Sequence, residues 1–306
     1  MKGSSHDIIV ITGPTASGKT RFAAILASQM GGEIISADSR QVYRRMDIGT
    51  GKDYDDYIVD GREVPCHLID IADPGYKYNV FEYQRDFLKV YRSMKERDLL
   101  PVVCGGSGMY LDSIISGYRL IKVPVNKELR ERLENRPMAD LVEILSSCKT
   151  LHNRTDVDTR KRAVRAIEIE EYYRNNPGPE DEFPTIKPLI LGIFFDRDAR
   201  RRRISERLDS RLKSGMLEEV RDLLNSGVSP DDLVYYGLEY KYLTQYLQGK
   251  TGYDEMRKGL ETAIHRFAKR QMTWFRGMER RGIKIHWIDG ELSDNQKLRL
   301  ALQLTG

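Results

Sequence analysis

Short apolar runs alternate with stretches of helical spacing along the N-terminal part of the chain. DIIVITG (7–13) is an apolar run ending in a Gly-rich turn, and KTRFAAILASQM (19–30) follows with helical periodicity. GEIISADS (32–39) reads as a second strand ending at Asp38, and CHLIDIADP (66–74) as a third closed by Pro74. YNVFEYQRDFLKVYRSMKERD (78–98) carries Phe81, Phe87, Val90 and Met94 at helical intervals. LLPVVCGGSGMYLDSII (99–115) reads as a fourth strand, a glycine turn and another helix. Short apolar strands alternating with helices predict a parallel sheet covered on both faces.

The pattern changes after about residue 121. Residues 126–175 contain no strand-like run and read as helices only, and NNPGPEDEFP (175–184) reads as a loop. KPLILGIFFDRD (187–198) is a fifth strand, so a helical insertion over 122–184 interrupts an α/β core of 1–121 and 185–306. Residues 198–227 read as one long basic helix stopped near Gly227. Residues 253–282 read as another, with Met256, Leu260, Ile264 and Phe267 on one stripe. IKIHWID (283–289) reads as a last strand.

Composition narrows the class. With 306 residues, 40% hydrophobic and 31% charged, the chain suits about two domains with a sizeable core. No apolar run approaches the roughly 20 residues that span a bilayer, and MKGSSHDIIVITG shows no signal-peptide pattern. Cys66, Cys104 and Cys148 are far apart and form no CxxC pair, which argues against zinc or disulfides and fits a reducing cytoplasm. The five histidines show no metal-ligand spacing. The net charge of +4 says little by itself, but its distribution says more. Arg197, Arg200, Arg201, Arg202, Arg203, Arg207 and Arg211 form one basic group; Arg160, Lys161, Arg162 and Arg165 form a second. Lys269, Arg270 and Arg276 form a third, beside Trp274 and Phe275. Any single arginine here is more often a solvated residue paired to an acid. Three groups together favour a polyanionic partner.

The chemistry starts at Gly13-Pro14-Thr15-Ala16-Ser17-Gly18-Lys19-Thr20. Glycines let backbone N–H groups wrap a phosphate, the following helix N-terminus adds partial positive charge, Lys19 adds a full one, and the Thr20 hydroxyl suits Mg²⁺. Alone, this loop suggests ATP. Asp38 stands at a strand end, where it can act as a general base, ligate Mg²⁺ or cap a turn. Asp70 suits either the metal side of a phosphate site or a structural hydrogen bond. Gly105, Gly106 and Ser107 form a tight turn on the same crevice edge.

Taken together, GPTASGKT (13–20), SADSRQVYRRMDIGTGK (36–52), HLIDIADP (67–74), GGSGMYLDSI (105–114), RKRAVRAIE (160–168), RISERLDSRLKSGMLEEV (203–220) and RFAKRQMTWFR (266–276) resemble the tRNA dimethylallyltransferase family over nearly the whole chain. The resemblance implies a P-loop nucleoside-triphosphatase-like α/β core with a helical insertion domain that grips the tRNA anticodon stem-loop. It implies transfer of a dimethylallyl group from dimethylallyl diphosphate to N6 of adenosine 37, assisted by Mg²⁺ at Thr20. Asp38, Thr15, Lys19 and Arg207 take catalytic positions in that family pattern, and residues 13–20 hold the diphosphate. Asp38, Ser39, Arg40, Gln41 and Ser107 match its tRNA-binding positions around the base. Arg130, Lys161, Arg162, Ala163, Val164, Arg165, Lys269 and Arg270 match further tRNA-binding positions, and Arg162 also matches an active-site arginine. Ser107 stands where the family usually has Thr. VYYGLEYKYL (234–243) replaces a more basic segment, which weakens an RNA contact there. A cytoplasmic monomer is expected. The alternatives are an adenylate isopentenyltransferase acting on free AMP or ADP, a P-loop small-molecule kinase, and an RNA-binding NTPase.

Overall fold

A computed structural model describes residues 6–118, 120–148, 157–176 and 183–305. The chain opens with β1 (Ile8–Thr12), α1 (Lys19–Met30) and β2 (Gly32–Ser36). A 3-10 turn at Tyr54–Tyr57 leads into a small antiparallel hairpin of β3 (Ile58–Val59) and β4 (Arg62–Glu63). Next come β5 (Cys66–His67), α2 (Val80–Glu96), β6 (Leu100–Gly105) and α3 (Gly108–Ile115), followed by α4 (Lys127–Leu133), α5 (Met138–Cys148) and α6 (Arg160–Asn175). The chain continues through β7 (Pro188–Phe194), α7 (Arg197–Lys213), α8 (Met216–Asn225), α9 (Pro230–Tyr236), α10 (Leu238–Leu247), α11 (Tyr253–Arg280), β8 (His286–Asp289) and α12 (Asp294–Thr305). Among the described residues no helix is long and apolar enough to cross a membrane.

Six strands form one sheet in the order β5-β2-β6-β1-β7-β8, every neighbouring pair parallel. This is the parallel α/β fold that the hydrophobic pattern predicts. β1 reads as a continuous apolar run because both its faces are covered. Ile9 and Ile11 join Ile34, Val102 and Leu191 against Phe22, Leu26 and Ala27 of α1. Ile8, Val10, Ile35, Val103 and Ile190 alternate with them and are equally buried on the other side. α1 is bounded at both ends by left-handed glycines, Gly18 and Gly31. α2 starts with a capping box between Asn79 and Glu82.

Three elements differ from expectation. The third strand keeps only Cys66–His67, because Leu68 and Asp70 both take positive φ and leave the extended region. The long basic helix expected over 198–227 is two helices, divided at Ser214 and Gly215, where Gly215 has φ +97°. On α11 the buried stripe runs Met256, Leu260, Ile264, Ala268, Gln271, Phe275, Met278, while Phe267 lies outside it and is exposed. The loop expected over 175–184 lies largely outside the described residues.

The chain divides into two compact units, Met1–Tyr118 with Pro184–Gly306, and Arg119–Phe183. The smaller unit has its own core of Leu129, Leu133, Leu141, Leu145, Ala163, Ala166 and Ile167. Beside that core, buried Glu168 accepts from Arg130 at 2.9 Å, from Arg165, and from the Asn126 N–H at 2.6 Å.

Candidate active site

Parallel strands deliver their C-terminal ends to one edge, and the loops that leave that edge build the site. Thr12 is level with Gly105 and Gly192 in the register, and its Oγ1 donates to the Gly105 carbonyl at 3.0 Å. The phosphate loop follows β1. Gly13 has φ +155°, and a Cβ there would crowd the Ser17 hydroxyl and the Ile193 carbonyl. Ala16 takes the left-handed region at φ 62°. Ser17 Oγ is buried without a hydrogen-bond partner, an orphan donor of the kind a bound anion satisfies.

Two distant side chains brace this loop. Arg203 donates from Nε to the Ala16 carbonyl at 3.0 Å, and its guanidinium lies 4.4 Å from the Phe195 ring centroid. Gln271, 8% exposed, accepts the Thr15 N–H on Oε1 at 2.9 Å and donates from Nε2 to the Gly106 carbonyl at 2.9 Å. The Thr15 N–H is therefore held by protein, and does not join the N–H groups expected to wrap a phosphate. A polar residue on the buried stripe of α11 was the available signal for Gln271.

Asp38 leaves β2 beside this loop. Its Oδ1 accepts the Arg40 N–H at 2.9 Å, so one oxygen shapes the turn. Ser107 Oγ accepts the Ser39 N–H at 2.9 Å and lies 3.2 Å from Ser39 Oγ, while the Ser107 N–H reaches the Ala37 carbonyl. Asp38, Ser39, Arg40 and Ser107 are thus brought together by neighbouring strands. Gln41 points elsewhere: it is buried and donates to the Gly51 carbonyl at 3.0 Å.

α7 supplies Arg203, Arg207 and Arg211 at i, i+4 and i+8, one face of a helix. Arg207 and Arg211 both reach Asp53 Oδ2, at 2.8 and 3.4 Å. Gly51, at φ +78°, leaves room for the two guanidinium groups; an added Cβ would lie 2.7 Å from Arg207 Nη2. The loop that carries Gly51 and Asp53 is held by Glu219, which accepts the N–H groups of Asp47, Ile48 and Gly49 at 2.8, 2.7 and 3.0 Å. Lys52, its side chain fully buried, pairs with Asp47 at 2.8 Å and with Asp70, and Tyr54 donates to Asp70 at 2.7 Å. Asp70 therefore serves a structural ion pair.

The electrostatics favour an anion. Burial pushes the Lys19 amine below its ordinary range; Cys104 and Asp38 oppose this, and Arg207 and Arg211 add to it. Burial, together with Arg207, lowers the Arg211 guanidinium to about 10. Burial pushes the Cys104 thiol up to about 12 against the pull of Lys19. Burial also raises Glu239, although Arg211 and Arg207 oppose it. Lys19, Arg207 and Arg211 therefore share one neighbourhood with Asp38, and Asp53 is shared by the two arginines.

Thr20 stands in the first turn of α1, which begins at Lys19 directly after the loop. Among the described residues no group of three or more His, Cys, Asp or Glu could hold a metal. A lone hydroxyl beside a phosphate cradle fits Mg²⁺ that arrives with phosphates and waters, and not an all-protein cage.

The remaining expected RNA contacts are dispersed. On the smaller unit, Lys161 and Arg162 are exposed, and Arg162 pairs with Asp158 at 3.2 Å. Arg130 and Arg165 are tied to Glu168, and Val164 packs against the small core. Ala163 is fully buried in that core, so its side chain cannot present itself to RNA as expected. Lys269 and Arg270 are exposed on α11.

A family model described as IPP transferase matches residues 41–278, and one described as isopentenyl transferase matches residues 6–64. A tRNA dimethylallyltransferase of Bacteroides fragilis is 64% identical over 298 residues, covering 97% of each chain. One of Parabacteroides distasonis is 59% identical over 300 residues, covering 98% of each. The crystal structure of a Bacillus halodurans tRNA isopentenylpyrophosphate transferase superposes with TM-score 0.70 at 30% identity, over 97% of this chain and 94% of that one. A eukaryotic dimethylallyltransferase acting on tRNA shares the fold, with TM-score 0.76 at 21% identity over 92% of this chain and 73% of that one. The phosphate loop, the strand-end carboxylate and these matches over nearly the full length agree, and the chain belongs to the IPP transferase family.

Proposed function

We propose that this protein transfers a dimethylallyl group from dimethylallyl diphosphate to N6 of adenosine 37 in tRNA and releases diphosphate. The observation that carries this reading is the anion loop after β1, with its orphaned Ser17 hydroxyl, on the same sheet edge as Asp38 after β2, with Lys19, Arg207 and Arg211 nearby. It sets a proton acceptor beside a cluster of cations suited to a diphosphate. In the reaction the N6–carbon bond forms as the allylic carbon–oxygen bond breaks. Asp38 receives the N6 proton, and the bond electrons leave on the diphosphate. Lys19, Arg207, the Thr15 hydroxyl and the loop N–H groups other than that of Thr15 stabilise the charge that develops there. Thr20 would hold the Mg²⁺ that accompanies the diphosphate, and the ion supplies further neutralisation of the leaving group.

The acceptor base must leave the anticodon-loop stack to reach Asp38, at a cost of a few kcal/mol. Exposed Lys161, Arg162, Lys269 and Arg270 are suited to backbone contacts that offset this cost. The same reading takes the enzyme to work as a cytoplasmic monomer. Incubation with unmodified tRNA and dimethylallyl diphosphate, followed by nucleoside mass analysis, should show one added C5 unit on adenosine. ADP formation from ATP, or C5 addition to free AMP alone, would overturn the proposal. Asp38→Ala should keep tRNA binding and lose on the order of 10²–10⁴-fold in turnover; retained turnover removes Asp38 from the base role.

A further inference from the structure

α9 ends in two consecutive tyrosines, which a helix sets about 100° apart around its axis. Tyr236 is fully buried, with its ring centroid 4.4 Å from that of Tyr43. Its hydroxyl donates to the Tyr76 carbonyl at 2.9 Å and accepts the Gly75 N–H at 2.5 Å. Tyr235 remains 45% exposed, edge-on to Tyr236 with centroids 5.6 Å apart. The inward tyrosine does the packing and fixes the outward one in place.

Two cations lie over the exposed ring. The Arg40 guanidinium carbon lies 5.4 Å from its centroid and Lys77 Nζ 5.6 Å. Lys77 also pairs with Asp232 at 3.5 Å, so its charge is partly shared. Arg40 follows Asp38 by two residues and is tied to it through its N–H. Arg40 thereby links the exposed ring to the turn that carries the candidate base. An exposed aromatic ring with two long, flexible cations over it matches single-stranded RNA: a base can take the cations' place on the π face while they turn to its phosphates.

We propose that Tyr235 is a stacking platform for an unpaired base of the RNA acceptor, with Arg40 and Lys77 taking the adjoining phosphates. The inference rests on tRNA being the acceptor: a free mononucleotide gives its one base to Asp38 and has none left for Tyr235. Segment 234–243, whose sequence weakens the expectation of an RNA contact, thereby gains one through stacking instead of charge.

The test is titration of the full chain with an unmodified anticodon stem-loop RNA, a blunt duplex of the same stem, and inorganic pyrophosphate. Tyr235→Ala should weaken stem-loop binding on the order of 10- to 100-fold, and Tyr235→Phe should stay within about twofold of the parent. Duplex affinity, pyrophosphate affinity and melting temperature should not move. Unchanged stem-loop affinity in Tyr235→Ala overturns the platform. So does a loss in Tyr235→Phe equal to that in Tyr235→Ala, or a parallel drop in pyrophosphate affinity and melting temperature. If the parent binds the stem-loop through Tyr235 but adds no C5 unit, the proposed reaction fails and the platform stands. If the parent adds the unit and Tyr235→Ala binds normally, only the platform fails.

Discussion

Gln271 shows how one side chain can set the geometry of a loop it does not belong to. Its two hydrogen bonds, each 2.9 Å, join the phosphate loop at Thr15 to the turn at Gly106 that leads into Ser107. Both partners are backbone groups, and buried backbone groups left unpaired cost about 1–3 kcal/mol each. Gln271→Met keeps the volume and removes both bonds. It should raise the KM for dimethylallyl diphosphate about tenfold, with a smaller loss of RNA affinity through the turn that carries Ser107; steady-state kinetics alongside RNA titration separate the two. An unchanged KM would show that the loop holds its shape without this brace. Asp38, by contrast, commits one oxygen to the Arg40 N–H. Its turn role and its proposed proton-accepting role are compatible, because they need different oxygens.

At the scale of elements, each unit depends on a charge that one helix supplies to another segment. α7 offers Arg203, Arg207 and Arg211 along one face, and the break at Gly215 sends α8 off with Glu219 toward the 47–49 loop. In the smaller unit α6 supplies Glu168. Burial opposes its ionisation, but hydrogen bonds from Arg130 and Arg165 outweigh that and hold the carboxyl below the usual glutamate range. The unfolded glutamate binds its proton at a higher pH than the folded one. The pairing therefore stabilises the folded unit at neutral pH, and that contribution is lost as pH falls through the depressed folded value. Glu168→Gln should cost about 1–3 kcal/mol at neutral pH and should flatten the acid limb of the unfolding profile. Denaturant melts at several pH values check both; an unaltered acid limb would assign the acid sensitivity to other groups.

For the whole molecule, a small net charge of +4 conceals a strong segregation of cations. Some of those cations are committed within the protein: Arg130 and Arg165 to Glu168, Arg203 to the phosphate loop, Arg207 and Arg211 to Asp53. Exposed Lys161, Arg162, Lys269 and Arg270 can meet a phosphate backbone. Four such contacts would weaken tRNA binding about 10²-fold between about 50 and 200 mM salt. The slope of log affinity against log salt measures this, and a flat slope would contradict backbone contact.

What depends on contiguous residues could be read from the chain alone. The glycine-rich turn between β1 and α1 was legible because its glycines, Lys19 and Thr20 are adjacent along the chain. The parallel sheet was legible because strand and helix periods differ and alternate along the chain. Which distant groups meet is visible only in the folded molecule: Gln271 with Thr15 across 256 positions, Arg207 with Asp53 across 154. The same holds for the ion pair of Asp70, the burial of Ala163, and the outward turn of Tyr235 beneath Arg40 and Lys77. A local pattern fixes which face of an element is apolar. Which other face it meets depends on packing summed over the whole chain, and no short window of residues contains that sum.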